Sequence, residues 1–142
     1  MNEQGGFHIQ DLKPGMTASV AKTVTEADVV LFAGLSLDIN PLHVDEDYAR
    51  TTQFKGRIAH GMLSAGFISA VLGTKLPGPG CVYLGQTLKF KAPVRIGDTV
   101  VATLTVKEVL LEKKRCVLES ICRVGDKVVI EGESTLLCTS SE

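Results

Sequence analysis

The chain has 142 residues, 44% of them hydrophobic and 22% charged, with a formal net charge of −1. That length suits a single domain over residues 1–142 with its own core, and the apolar share excludes a disordered chain. Lys and Arg are scattered and no basic aromatic stripe exists, which excludes the electrostatic footprint of a nucleic-acid binder.

The N-terminal stretch Met1-Asn2-Glu3-Gln4-Gly5-Gly6 has neither the basic nor the apolar region of a secretion signal. No apolar run reaches bilayer length, so no membrane partner and a cytoplasmic location are expected. His8 falls in a segment expected to be loosely held and exposed. After the Lys13-Pro14-Gly15 turn, Val20–Val24 reads as a first strand. Thr25 then has the character of a helix N-cap, with Glu26 and Asp28 where the helix dipole favours negative charge. Val29, Val30, Phe32, Ala33 and Leu35 follow at helical spacing, and the pattern fades at Ser36.

Pro41 fixes its own φ and drives Asn40 towards extended backbone, so no helix runs through this interval. Asp38 and His43 are therefore expected on an irregular, stiffened loop. Asp45–Arg50 reads as a short second helix and Thr51–Arg57 as a polar connector. From Gly61 to Gly73 only Ser64 and Ser69 are polar, which predicts a helix buried on all sides. Gly73 and the Pro77-Gly78-Pro79-Gly80 cluster end it.

Beyond Cys81 the period becomes two. Strands are predicted at Val82–Lys91, Thr99–Leu111, Arg115–Arg123 and Lys127–Cys138, with tight connections at Gly97-Asp98, Lys113-Lys114 and Gly125-Asp126. The basic run Glu112–Arg115 fits a solvated hairpin tip. Cys81, Cys116, Cys122 and Cys138 form no CxxC pair, and Cys116, Cys122 and Cys138 lie among alternating apolar residues, so buried or half-buried free thiols are expected rather than disulfides or metal ligands. One buried helix followed by long antiparallel strands predicts an α+β layer, a curved sheet wrapped around the helix. The free edges and face of such a sheet favour a homo-oligomer, most simply a homodimer.

Asp38 and His43 stand five positions apart across the Asn-Pro bend. A carboxylate and an imidazole in one small volume can hold a water molecule and move its proton near neutral pH. Taken singly, the same residues also fit a turn-capping Asp and a His satisfied by backbone. The sequence Ser36-Leu37-Asp38-Ile39-Asn40-Pro41-Leu42-His43-Val44-Asp45, with Ala59-His60-Gly61-Met62 downstream, resembles the signature of R-specific enoyl-CoA hydratases in the MaoC-like dehydratase group of hotdog-fold proteins. The resemblance extends through Leu76-Pro77-Gly78-Pro79-Gly80, Tyr83-Leu84-Gly85-Gln86-Thr87-Leu88-Lys89-Phe90 and Pro93-Val94-Arg95-Ile96-Gly97-Asp98.

The resemblance implies a hotdog fold with an added helical overhang and a hydro-lyase acting on trans-2-enoyl-CoA to give (R)-3-hydroxyacyl-CoA. It implies that Asp38 and His43 hold the attacking water, and that the Gly61 backbone N–H faces the thioester oxygen. Asn40, Ser69 and His60 are expected in support. Asn40 would hold the loop. Ser69 would either reach the catalytic loop or bond back to its own helix, and His60 would fix the segment before the helix. The chemistry requires no metal and no redox cofactor, and the Asp and His residues show no tight zinc-type cluster in sequence. Two other readings stand beside it. A hotdog thioesterase is opposed by the lack of Asp or Glu between Gly61 and Gly73, and a non-catalytic acyl-CoA-binding module would have no need of Asp38 and His43.

Overall fold

Alternating burial organises the second half of the chain in this computed structural model, which describes residues 1–142. Val100, Ala102, Leu104 and Val106 point inward from one strand, Cys116, Leu118, Ser120 and Cys122 from the next, and Ile130, Ser134 and Leu136 from the last. In chain order the strands are β1 (Thr17–Thr23), β2 (Val82–Gln86), β3 (Lys89–Phe90), β4 (Thr99–Leu110), β5 (Arg115–Val124) and β6 (Lys127–Leu137). They form one antiparallel sheet in the order β1-β4-β5-β6-β2, with β3 also pairing with β6. The hairpin tips fall as predicted, with Lys114 at φ 55° and Gly125 at φ 58° supplying the left-handed backbone that tight turns require.

Four helices lie between β1 and β2. They are α1 (Glu26–Ser36), α2 (Pro41–Val44), α3 (Glu46–Arg50) and α4 (Gly61–Thr74). α4 packs against β4, β1 and β5. Its Ile68, Val71 and Leu72 join Leu104, Leu118, Ile130 and Leu136 in the core. Each such side chain contributes roughly 1.5–3 kcal/mol through burial.

Several expectations change. The stretch 82–91 is not one strand, because Thr87 and Leu88 interrupt it. Gly132 makes room for this bend: a Cβ there would stand 1.8 Å from the Thr87 carbonyl oxygen. β1 begins three residues earlier than expected, paired to β4 from Thr17. α4 is not buried on all sides within the chain. Ser64, Ile68, Val71 and Leu72 form its buried stripe, while Gly66, Ser69 and Ala70 are exposed and Met62 is 55% exposed. The helix is apolar all round, but one sheet covers one side. The N-terminal segment is also anchored rather than loose. His8 is half-buried, with its Nδ1 bonded to Thr139 Oγ1 at 2.8 Å, and Ile9 is fully buried. The cysteines are free thiols, three buried and Cys81 half-buried.

Candidate active site

The cap of α1 forms as its residues dictate: Thr25 Oγ1 accepts from the Asp28 amide and the Asp28 carboxylate accepts from the Thr25 amide. Lys22 pairs with Asp28 at 2.9 Å and holds that carboxyl below its usual range. α1 ends at Ser36, and Leu37 turns the chain with φ 66°. Three short-range bonds then fix the link to α2. Ser36 Oγ accepts from the Asp38 amide, Asp38 Oδ1 from the Asn40 amide and Asn40 Oδ1 from the Leu42 amide, at 3.1–3.2 Å. Asn40 thus caps the start of α2 through its side chain. Pro41, with no N–H to lose, occupies the first position of α2. His43 consequently lies on a helical turn, not on the irregular loop expected from sequence, and is 8% exposed. Asp38 alone remains on the open link.

The His43 Nδ1–H donates to the Ile58 carbonyl at 2.7 Å. In the neutral ring this leaves Nε2 as the free lone pair. The His43 carbonyl accepts from Arg57 Nε at 2.6 Å, and Arg57 also grips Glu26 through both carboxylate oxygens at 2.7 and 2.9 Å. Arg95 donates to the carbonyls of Phe54 and Gly56. The connector 51–57 is therefore clamped by two arginines that sequence reasoning missed. A lone Arg has no local pattern to distinguish a clamp from a solvated side chain.

His60 lies at the start of α4 and is 1% exposed. Its Nε2–H donates to the Asp38 carbonyl at 2.9 Å. Its ring stacks on His43 with centroids 3.9 Å apart at 28°, and Phe32 of α1 packs on it at 4.9 Å. A carboxylate oxygen of Asp38 and one nitrogen from each of His43 and His60 all lie within 4.8 Å of one another. The sequence showed no such cluster, since twenty-two positions separate Asp38 from His60. Its spacing would admit a metal, and one nitrogen of each ring is committed to a carbonyl, which leaves each imidazole a single nitrogen for the cluster.

The cluster borders a cavity of about 490 Å3 whose lining includes Gly61, Ser64, Phe90 and Ile130. The backbone hydrogen bonds leave the Gly61 and Met62 amides without a protein acceptor at the N-terminus of α4. The dipole there favours a developing negative charge. Glycine at 61 lets the Phe90 ring lie close over the helix start, since a Cβ would stand 2.5 Å from it. Ser64 is 1% exposed and its Oγ has no partner. Ser69, expected to support the loop or bond to its own helix, makes neither contact. One position beyond Ile68, it turns away from the sheet-facing stripe, is exposed, and lines a separate groove with Phe32, Met62 and Tyr83.

Residues 10–132 match the family described as the MaoC like domain. The chain is 65% identical to the (R)-specific enoyl-CoA hydratase of Rhodospirillum rubrum, over 92% of this chain and 90% of that protein. It is 48% identical to the 3-hydroxybutyryl-CoA dehydratase of Methylorubrum extorquens, over 96% and 87% respectively. The unliganded R-hydratase PhaJ1 of Pseudomonas aeruginosa superposes with a TM-score of 0.90 at 43% identity, covering 96% of this chain and 88% of that one. The antiparallel sheet with its central helix is thus the hotdog fold expected from the sequence. With the match spanning most of the chain and the fold in agreement, the chain belongs to the MaoC-like dehydratase family.

Proposed function

We propose that this chain is a hydro-lyase that reversibly hydrates trans-2-enoyl-CoA to (R)-3-hydroxyacyl-CoA, with Asp38 and His43 as the catalytic pair. One observation carries the reading. The Asp38 carboxylate and a His43 ring nitrogen lie within 4.8 Å of each other at a cavity that also presents the unpaired amide of Gly61. The pair holds one water over the double bond. Its oxygen bonds to C3 as the pair takes a proton, and a proton is delivered from the pair to C2 on the same face. The two groups act as a unit, so acid and base are assigned to the pair. Negative charge develops meanwhile on the thioester oxygen. The Gly61 N–H meets it there, and one such donor is typically worth about 10²–10³ in rate.

The names of the relatives support the substrate class. The absence of Asp and Glu from α4 weighs against the hotdog thioesterase alternative. We read residues 1–142 as one such domain, acting in the cytoplasm, where free thiols persist. A homodimer belongs to the same proposal. β2 is a sheet edge, and Val82, Tyr83 and Leu84 on it are at least 40% exposed beside the uncovered side of α4.

Crotonyl-CoA tests the function. Loss of enoyl absorbance without release of free thiol is expected, and Asp38→Asn and His43→Gln should each abolish it while circular dichroism stays unchanged. Thiol release would favour a thioesterase, binding without turnover a non-catalytic module, and near-normal turnover in both variants would remove the site assignment.

A further inference from the structure

The imidazole of His60 occupies the centre of a three-ring column. Phe32 of α1 packs on it at 4.9 Å and His43 of α2 at 3.9 Å, while its own backbone caps α4. A phenyl ring would fill this space equally well, so packing alone does not call for histidine. What the imidazole adds is the Nε2–H bond of 2.9 Å to the Asp38 carbonyl. Nδ1, buried and without a partner, cannot keep a proton satisfied, which assigns the Nε2–H tautomer.

We propose that His60 is a positioning residue for the reaction: one side chain fixes Asp38 through its backbone and His43 through its ring face, and so sets the separation of the two groups that handle the proton. Asp38 needs this most. It stands on an exposed link, held otherwise by Ser36 and Asn40, its near neighbours in the chain. His60 supplies its tie to another element of the fold. Displacing a reacting group by about 1 Å costs on the order of 10²-fold in rate. Because His60 is 1% exposed and its Nε2–H is committed to the Asp38 carbonyl, its removal should appear in kcat and hardly in KM. The inference rests on the Asp38–His43 reading and extends it.

Three variants test it in the purified full-length protein with crotonyl-CoA. His60→Phe keeps the ring and removes the donor; His60→Gln keeps a donor at about the reach of Nε2; His60→Asn carries the same amide one methylene short. We expect His60→Phe to lower kcat by about 10²-fold with KM within about threefold, and His60→Gln to recover at least about tenfold of that loss. If the phenyl variant does not fold, the amides decide, with kcat of Gln exceeding that of Asn by at least about fivefold. A kcat for His60→Phe within about twofold of the parent, a loss confined to KM, or Gln no better than Phe or Asn overturns the proposal. Failure of the underlying site reading looks different, since Asp38→Asn and His43→Gln would then remain active.

Discussion

Replacing Arg57 by Met removes a guanidinium while leaving an apolar stem of similar length, so it isolates the clamp that ties α1 to α2. The Arg57 side chain is 12% exposed, and its Nε–H reaches the His43 carbonyl at 2.6 Å. A charge-assisted bond in that setting is worth about 1.5–3 kcal/mol. The pair with Glu26 adds less, because that carboxylate is 60% exposed and solvent screens it, so about 1 kcal/mol is its ceiling. Arg57→Met should therefore cost about 2–4 kcal/mol, read as a lower midpoint in urea with an unchanged slope. The same change frees the backbone of His43, so kcat for enoyl-CoA hydration should fall with it. Arg57→Lys should recover little, because one ammonium on a flexible stem cannot fork between the carbonyl and the carboxylate. A loss below about 0.5 kcal/mol with kcat unchanged would refute the clamp, placing Arg57 among ordinary surface substitutions.

Gly61→Ala places a methyl 2.5 Å from the Phe90 ring and beside the amide proposed to meet the thioester oxygen. Phe90 is 54% exposed and can swing aside, so kcat should fall well before stability does, measured by parallel kinetic and thermal assays. Ser64→Ala removes a buried hydroxyl that has no protein partner, and its stability should stay level or rise by up to about 1 kcal/mol. A clear loss in denaturant titration would show that the hydroxyl is paired in solution. Burial pushes the Cys122 thiol from its ordinary 9.0 up to about 11. Its folded pKa is raised, so its contribution is complete below about pH 9 and is lost as pH climbs towards 11, a decline of at most about 2.7 kcal/mol. Urea midpoints across that range should fall, and Cys122→Val should flatten the fall.

The period-two stretches from Thr99 onward are legible because one face of the sheet is buried and each register is fixed by it. The α1 cap is legible because Thr25 and Asp28 satisfy each other within four residues. What the sequence hides depends on distant partners. The break at Thr87 follows from Gly132, forty-five positions later, and the status of the two α4 serines depends on which one faces the sheet. Local chemistry could not choose between Ser64 and Ser69, since both interrupt the same apolar run. Pro41 shows the converse limit. Its rule against helix interiors is sound, yet the same missing N–H and fixed φ make it a good first residue for α2.

A polar residue with an atom satisfied by backbone is ordinarily assigned a structural role, and Asp38 and His43 both qualify. Oδ1 of Asp38 accepts from the Asn40 amide, and Nδ1 of His43 donates to Ile58. Each of these groups is bifunctional, however, and the bond that ties one atom orients the other. The turn-capping bond directs the second carboxylate oxygen, and the Ile58 bond selects the ring tautomer whose lone pair lies at Nε2. A structural role and the proposed catalytic role are therefore one arrangement at these two positions rather than competing explanations. The distinction has experimental force. Asparagine at position 38 keeps an oxygen for the Asn40 amide and loses only the charge and proton affinity of the carboxylate, so the loop should hold its shape. Alanine there would remove both, and the shortfall of Asp38→Ala in stability relative to Asp38→Asn measures the turn separately from the chemistry.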